Sequence, residues 1–404
     1  MFLFLSFIAA LFSSYLTVLG CLILPFPCLF LAGVYIYNLI SGLLLADVAI
    51  NLHESSDCEV PSSFKDFADT ALQSTTAGNA IGAASLLLNS CFLAFGIVHV
   101  GSLVASTFPG WGLDPTIAAA SFSALIAGCS LTQTTEGLER ISNAAVMVLF
   151  SSFASLLLPS LAQVHDPMAT WLAPGTHPEG LIAGISSAIP LVISGMIFQN
   201  IVPSITKLLN FDRTKSTIAI AVGSFIPMAM YLAWCYAVLG GGLDSSIAGG
   251  SGGGAAIFTA FSASALVGSS VACVMSLAEE YESIISSVIE EKGENLGVEP
   301  CPIKDRFSIP AVALSITPPA LAGLAFSGGG DFTGALSFSG TFIAPFLYGL
   351  LPIVLFQATM KDISDDQASG SAAAWSSLPQ VLLGAGTIGF LGQEVVQDLA
   401  SLQV

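Results

Sequence analysis

The chain has 404 residues, of which 54% are hydrophobic and only 9% charged, and its mean hydropathy is +0.84. That composition excludes a water-soluble globular domain and identifies an all-α polytopic membrane protein. The apolar stretches are long and continuous, unlike the short alternating segments of an outer-membrane barrel. The net charge of −18 comes from acids in loops, and no basic cluster is dense enough for nucleic acid.

Windows of about 20 residues give about eleven hydrophobic segments, near 2–24, 28–50, 78–107, 115–131, 141–163, 181–209, 214–240, 255–281, 307–326, 335–357 and 376–398. The first begins at once, with no basic residue before Lys65, so it reads as a membrane helix and not as a cleaved signal. A misassigned start remains open for it. All nine basic residues fall in alternate connections: Lys65, Arg140, Lys207, Arg213, Lys215, Lys292, Lys304, Arg306 and Lys361. The positive-inside rule makes that side cytoplasmic, with the N-terminus inside and the C-terminus outside. Trp111 and Trp171 then anchor outer ends and Trp375 an inner one. On this parity, segments 1–5 (about 1–163) and 6–10 (about 181–357) have opposite orientation. They form a single transporter-like domain of two inverted five-helix repeats plus one extra helix at about 376–398.

Segment 2 carries Asp47 near its inner end. Segment 3 carries Phe92, Phe95 and His99 on one face. His99 reads as a proton carrier or as a hydrogen-bonded structural histidine. Segment 6 is the focus of the chain. Its 29 residues, Leu181 to Leu209, would extend roughly 43 Å as a helix at about 1.5 Å per residue, against a hydrocarbon core of about 30 Å. Gly195 weakens the helix, and Pro203 withholds the donor that the Gln199 carbonyl would otherwise use. Polar backbone is thereby expected to open around Phe198, Gln199 and Asn200. Such a Gly/Pro-interrupted helix marks a transporter binding site, with an ordinary proline kink as the alternative.

Segment 8 has a small-residue face of Ser264, Gly268, Ala272 and Ser276, with Ser262, Ser269 and Ser270 beside it. That face either lines a cavity or lets a helix approach closely. Glu279 lies near its inner end and, like Asp47, is a candidate coupling carboxylate or a snorkelling surface charge. The acidic stretch Tyr281–Glu291 is expected as a surface amphipathic helix. Most of the eight cysteines lie inside apolar runs, with no metal-ligand spacing. No HExxH, GxSxG or phosphate loop is present, so an enzyme is not indicated.

Several of these stretches resemble the tryptophan/tyrosine permease family, the hydroxy and aromatic amino acid permeases. Phe198–Pro203 matches an aromatic-x-Asn-x-Val-Pro centre, Asp212–Lys215 matches Asp-Arg-x-Lys, and Gly223–Pro227 matches Gly-Ser-x-Ile-Pro. Further similarity lies at Ser41–Ala46 before Asp47, Phe261–Tyr281, Thr317-Pro318-Pro319, Gly340-Thr341-Phe342, Gly349–Pro352 and Gly392–Val395. It runs from about residue 34 to the C-terminus.

The resemblance implies a leucine-transporter-type inverted-repeat fold and proton-driven symport of an amino acid. It implies no other cofactor, and sodium remains an alternative ion. Gln199 stands where the family has a histidine, which leaves the proton route open. In segment 1 the family has Gly-x-Gly-x-Leu-x-Leu-Pro, whereas this chain has Val18–Pro25 with Gly20 alone, so either the start is misassigned or the carrier is divergent. The expected substrate-binding residues are Gly20, Phe92, Phe95, Gly195, Phe198, Gln199, Asn200 and Ser269. The coupling candidates are Asp47, His99 and Glu279. Partners are the amino acid substrate and the bilayer, at the plasma membrane or an organelle envelope such as that of a plastid. A sensor or scaffold that has kept the fold without transporting is the alternative from another class.

Overall fold

In the computed structural model the described residues are 25–55, 63–108, 110, 112–164, 166, 192–193, 195–239, 253–293, 306–327, 338–364 and 377–401. Segment 1 with Gly20, the three anchoring tryptophans and most of the glycine-rich 240–254 loop lie outside them. The helices are α1 (Pro25–Ser55), α2 (Phe64–Leu72), α3 (Thr75–Thr107), α4 (Pro115–Thr132), α5 (Thr135–Ala162), α6 (Val202–Leu208), α7 (Arg213–Leu239), α8 (Gly253–Gly293), α9 (Ile309–Ser327), α10 (Leu351–Ser364) and α11 (Ser377–Ser401). Two π-helical turns, Ser339–Ile343 and Phe346–Leu350, lead into α10.

Among the described residues 8 spans are long and apolar enough to cross a membrane, where the sequence suggested about eleven. Segment 1 is outside the described residues, segment 6 is interrupted, and α11 carries Gln393, Glu394, Gln397 and Asp398 in its second half. The protein is a multi-pass, all-helical membrane protein.

Local chemistry sets the boundaries. The Asp114 side chain accepts from the Thr116 N–H at 2.7 Å, with Pro115 inside the first turn of α4. Thr134 caps α5 through the Gly137 N–H at 3.1 Å. Buried hydroxyls inside the spans return to carbonyls one turn back: Ser123 to Ala119 (2.9 Å), Ser160 to Leu156 (2.7 Å) and Ser315 to Ala311 (2.7 Å). Without water, these bonds make serine tolerable in lipid. Ile117 and Leu125 of α4, Met147 and Leu158 of α5, and Ile218 and Val222 of α7 are exposed apolar side chains, as on a lipid-facing surface.

Two corrections concern helix ends. Tyr281–Glu291 is helical as expected but continues α8, which runs unbroken for 41 residues to Gly293, because no glycine or proline interrupts it after Gly268. The segment 2–3 connection, expected as a loop, contains α2. Its N-cap Ser63 accepts from the Asp66 N–H at 3.1 Å. Lys65 there is buried between Asp66 (3.1 Å) and Asp69 (3.0 Å). Burial lowers its proton affinity, but the hydrogen bonds and charges of those carboxylates outweigh it, and the ammonium is held above its ordinary value.

The helices pack as two compact units. One comprises described residues of Met1–Leu29, Asn89–Ala188 and Met230–Leu336; the other those of Phe30–Leu88, Ile189–Ala229 and Ser337–Val404. The first is built on α8, which packs against α5 and α9 while α9 packs on α4. Phe153, Trp234 and Phe261 form its aromatic centre, with centroids 5.8 to 6.2 Å apart. Gly96 of α3 meets Ser270 of α8, whose hydroxyl would lie 3.1 Å from an added Cβ.

The second unit gathers α1, α2, the first part of α3, the interrupted segment 6, the N-terminal part of α7, the π turns, α10 and α11. Tyr37 donates to the Thr387 hydroxyl at 2.9 Å, since Thr387 itself donates to the Leu383 carbonyl. Gly349 lies against this pair: a Cβ there would fall 2.2 Å from the Tyr37 oxygen and 2.4 Å from that of Thr387. Overpacking of this kind costs about 1–3 kcal/mol. Gly349→Ala is expected to lower the midpoint of thermal unfolding in detergent by several degrees. Gly33→Ala, where an added Cβ meets nothing within 4 Å, is expected to leave it unchanged.

Candidate functional site

The site follows from how the second unit handles the interruption in segment 6. A helical turn ends where the Met196 N–H donates to the carbonyls of Val192 (3.2 Å) and Ile193 (3.1 Å). Ile197 and Phe198 are not helical. The chain then tightens into a 3-10 turn, Gln199–Ile201, closed by Ile201 N–H to Phe198 O at 3.1 Å, and enters α6. The sequence therefore located the break closely, but Pro203 acts differently from the expectation. It occupies the first turn of α6, where no N–H is needed and its fixed φ favours helix. The Gln199 carbonyl is not left open, because it accepts the Val202 N–H. Among the described residues the open backbone is instead at Ile197, whose N–H and C=O have no hydrogen bond.

Gln199 holds the break together. Its side chain is 0% exposed. Its Oε1 accepts from the Phe198 N–H at 2.9 Å, and its Nε2 donates to Asn38 Oδ1 of α1 at 2.7 Å. Asn38 Nδ2 in turn donates to the Val34 carbonyl at 3.0 Å. The two amides form a closed chain that satisfies one backbone donor of the break and fixes it to α1. Asn38 escaped the sequence reading, although a lone asparagine in Tyr35–Ile40 of an apolar helix is a signal at membrane depth. The Phe198 ring lies on α1 one turn further on, with its edge 2.6 Å from where a Gly42 Cβ would stand. Gly42 belongs to the Ser41–Ala46 motif, and its missing side chain is what admits that ring. Asn200 is half-buried and makes no hydrogen bond among the described residues. Gly195 lies buried in the helical turn before the break. Nearby, Phe30, Val34 and Tyr37 of α1, Ile193, and Thr387 and Phe390 of α11 line a cavity of about 340 Å³.

The C-terminal end of α6 is also distinctive. Asn210 and Phe211 both adopt left-handed backbone, at φ 53° and 54°. For phenylalanine this is strained. It is held by Phe211 N–H to Thr206 O at 2.8 Å and by stacking of the Phe211 ring on His53 of α1, at 3.9 Å and 18°. Two residues on, Arg213 reaches back to α1: its Nε lies 3.4 Å from Asp47 Oδ1, and its Nη2 donates to Asn51 Oδ1 at 3.1 Å. Asp212 caps α7 through the Lys215 N–H at 3.0 Å. That bond, then the Lys215 ammonium, holds its carboxyl below the ordinary range, so it stays ionised at any physiological pH.

The remaining sequence-derived residues belong to the first unit. Phe92 and Phe95 are buried on α3, and Phe95 stacks on His99 at 4.4 Å. Ser269 is buried and donates to the Leu266 carbonyl at 3.1 Å. Glu279 is half-exposed, and its neighbour Glu280 is the carboxylate that this unit buries. An acidic pair gives no phase from which to choose between its members.

The amide chain makes a quantitative prediction. Removing either partner strands a buried polar group, whereas removing both does not. Hydrogen bonds between membrane helices average near 0.6 kcal/mol in double-mutant cycles and reach about 1.7. Gln199 also satisfies a backbone donor, so the coupling of Gln199→Leu with Asn38→Leu is expected at the upper end, about 1–2 kcal/mol. Unfolding of the four proteins in a mixed-micelle titration measures it.

No curated protein matches the chain. The sequence profile of the tryptophan/tyrosine permease family matches residues 23–367, a range that includes the whole of the interrupted segment and both of its attachments to α1. With that coverage, the chain belongs to the tryptophan/tyrosine permease family of amino acid transporters.

Proposed function

We propose that the protein is a secondary active carrier that moves aromatic or other neutral amino acids in symport with protons. Its substrate binds at the interruption between Gly195 and Ile201. The observation that carries this reading is the break itself: open backbone at Ile197 beside a half-buried, uncommitted Asn200 amide, at a depth where unpaired polar groups survive only beside a cavity or a ligand. The groups of a zwitterionic amino acid suit such a place. Its ammonium suits the Ile197 carbonyl, its carboxylate suits N–H groups and the Asn200 amide, and Phe198 offers an aromatic surface. Gln199 is already committed to Asn38 and the Phe198 N–H, and it serves to hold the break in shape. The two halves of the chain are read as inverted repeats, with the basic residues on the cytoplasmic side.

Uptake of labelled tryptophan and tyrosine into proteoliposomes tests the proposal. An inward proton gradient is expected to drive accumulation above equilibrium, and a protonophore to abolish it. Asn200→Ala is expected to weaken apparent affinity by about 5- to 150-fold, equivalent to about 1–3 kcal/mol for an unpaired buried polar group. Accumulation on a sodium gradient alone would replace the proton by sodium. No uptake of any neutral amino acid by well-folded protein would leave the sensor reading in its place.

A further inference from the structure

The seven residues of α6 hang between two joints. Above is the non-helical pair Ile197–Phe198, and below is the left-handed pair Asn210–Phe211. A short element between two non-helical joints is a lever, because each joint can absorb a large backbone change. The lower joint is strained by two left-handed residues of which neither is glycine, and such strain persists only when the surroundings over-determine it. Here the surroundings are the inner end of α1: His53 stacks on Phe211, and Asp47 with Asn51 holds Arg213.

The one anionic partner in this anchorage is Asp47, whose side chain is 8% exposed against 36% for Arg213. Arg213 of α7 and Glu54 of α1 itself are the charged groups that act on it. Lys215 is engaged by Asp212, and Lys65 of α2 by Asp66 and Asp69. From α10 the neighbour is the uncharged Met360, whose sulfur accepts from Asn51 at 3.9 Å. One proton on Asp47 therefore removes the carboxylate that is ion-paired with Arg213 among the described residues.

We propose that Asp47 is the proton-binding group of the carrier and that its protonation state sets the inner joint. With Asp47 ionised, Arg213 is held, the strained joint is locked and α6 is closed against α1. With Asp47 protonated, Arg213 is released and the joint relaxes, freeing α6. Loss of the proton to the compartment on the Arg213 side re-forms the pair and resets the carrier. The step is a proton transfer to and from one carboxylate and needs no other reactant. It rests on the proton-driven reading above and supplies that reading with the titrating group that Gln199 is not.

Two readings of Asp47→Asn, which mimics the protonated form, test it. In proteoliposomes at equal pH the variant is expected to keep measurable exchange of labelled tryptophan, while accumulation driven by a pH gradient falls at least tenfold. Without substrate, tryptic cleavage of the Lys207–Lys215 stretch in detergent at pH 7.5 is expected to be about fivefold faster than in the unsubstituted protein. Glu136→Gln, at the exposed pair with Arg140, is expected to change neither. If Asp47→Asn does not fold, Arg213→Gln takes its place with the same two expectations, since it frees the same joint; its cleavage and that of the unsubstituted protein are then compared at Lys207 and Lys215 with a lysine-specific protease, because the substitution removes a tryptic site. Gradient-driven accumulation retained by the variant, or cleavage no faster than before, would overturn the assignment. An unsubstituted protein that neither exchanges nor accumulates tryptophan would instead refute the carrier reading, and the cleavage comparison would still decide whether Asp47 locks the joint.

Discussion

Backbone that leaves a helix inside a bilayer has no water to turn to, and the second unit is organised around that constraint. The helix of segment 6 stops at Met196 and resumes at Gln199. Every polar group exposed in between must be met by protein or by a ligand. Gln199 meets one of them and passes its own remaining donor to Asn38. This dictates a polar residue in the middle of α1, a residue without a side chain at position 42 to admit the Phe198 ring, and a proline at 203 that starts the inner half without wanting a donor. What the amides leave unmet, at Ile197 and Asn200, is the part with which a substrate can pair.

The two attachments of α6 to α1 use different chemistry, and depth explains the difference. At the break the link is amide to amide, neutral and fully buried, because a charge at the bilayer centre is costly. At the C-terminal end of α6 it is carboxylate to guanidinium and partly open, and exposure of the guanidinium reduces that cost. The neutral link has no titratable member and acts as a permanent fastening. The charged one can be undone by a single proton.

Much of this was legible from the amino-acid sequence, and the failures have physical causes. The break was placed within a few residues because Gly195, Pro203 and two adjacent amides all point to it. The sequence reading erred on what the proline does: a missing N–H suits the first turn of a helix, and that role removes the open carbonyl assigned to Gln199. Asn38 was overlooked because α1 reads as uniformly apolar and the significance of one amide appears only with its partner across the unit. Nine residues of α2 were too few to show a period, although Ser63 followed by Asp66 is a capping pattern. The joint at Asn210–Phe211 was invisible, since neither residue announces a left-handed pair and its support comes from His53, more than a hundred residues earlier in the chain.

The central claim is that the interruption in segment 6 is where substrate binds, and hydrogen–deuterium exchange in lipid nanodiscs tests it most directly. Saturating tryptophan or tyrosine is predicted to slow exchange in peptides covering Gly195–Ile201, where the Ile197 amide has no partner among the described residues and the Phe198 amide is held only by a side chain, and to leave α9 (Ile309–Ser327) unchanged. Protection confined to other segments, with exchange across Gly195–Ile201 the same with and without amino acid, would contradict it.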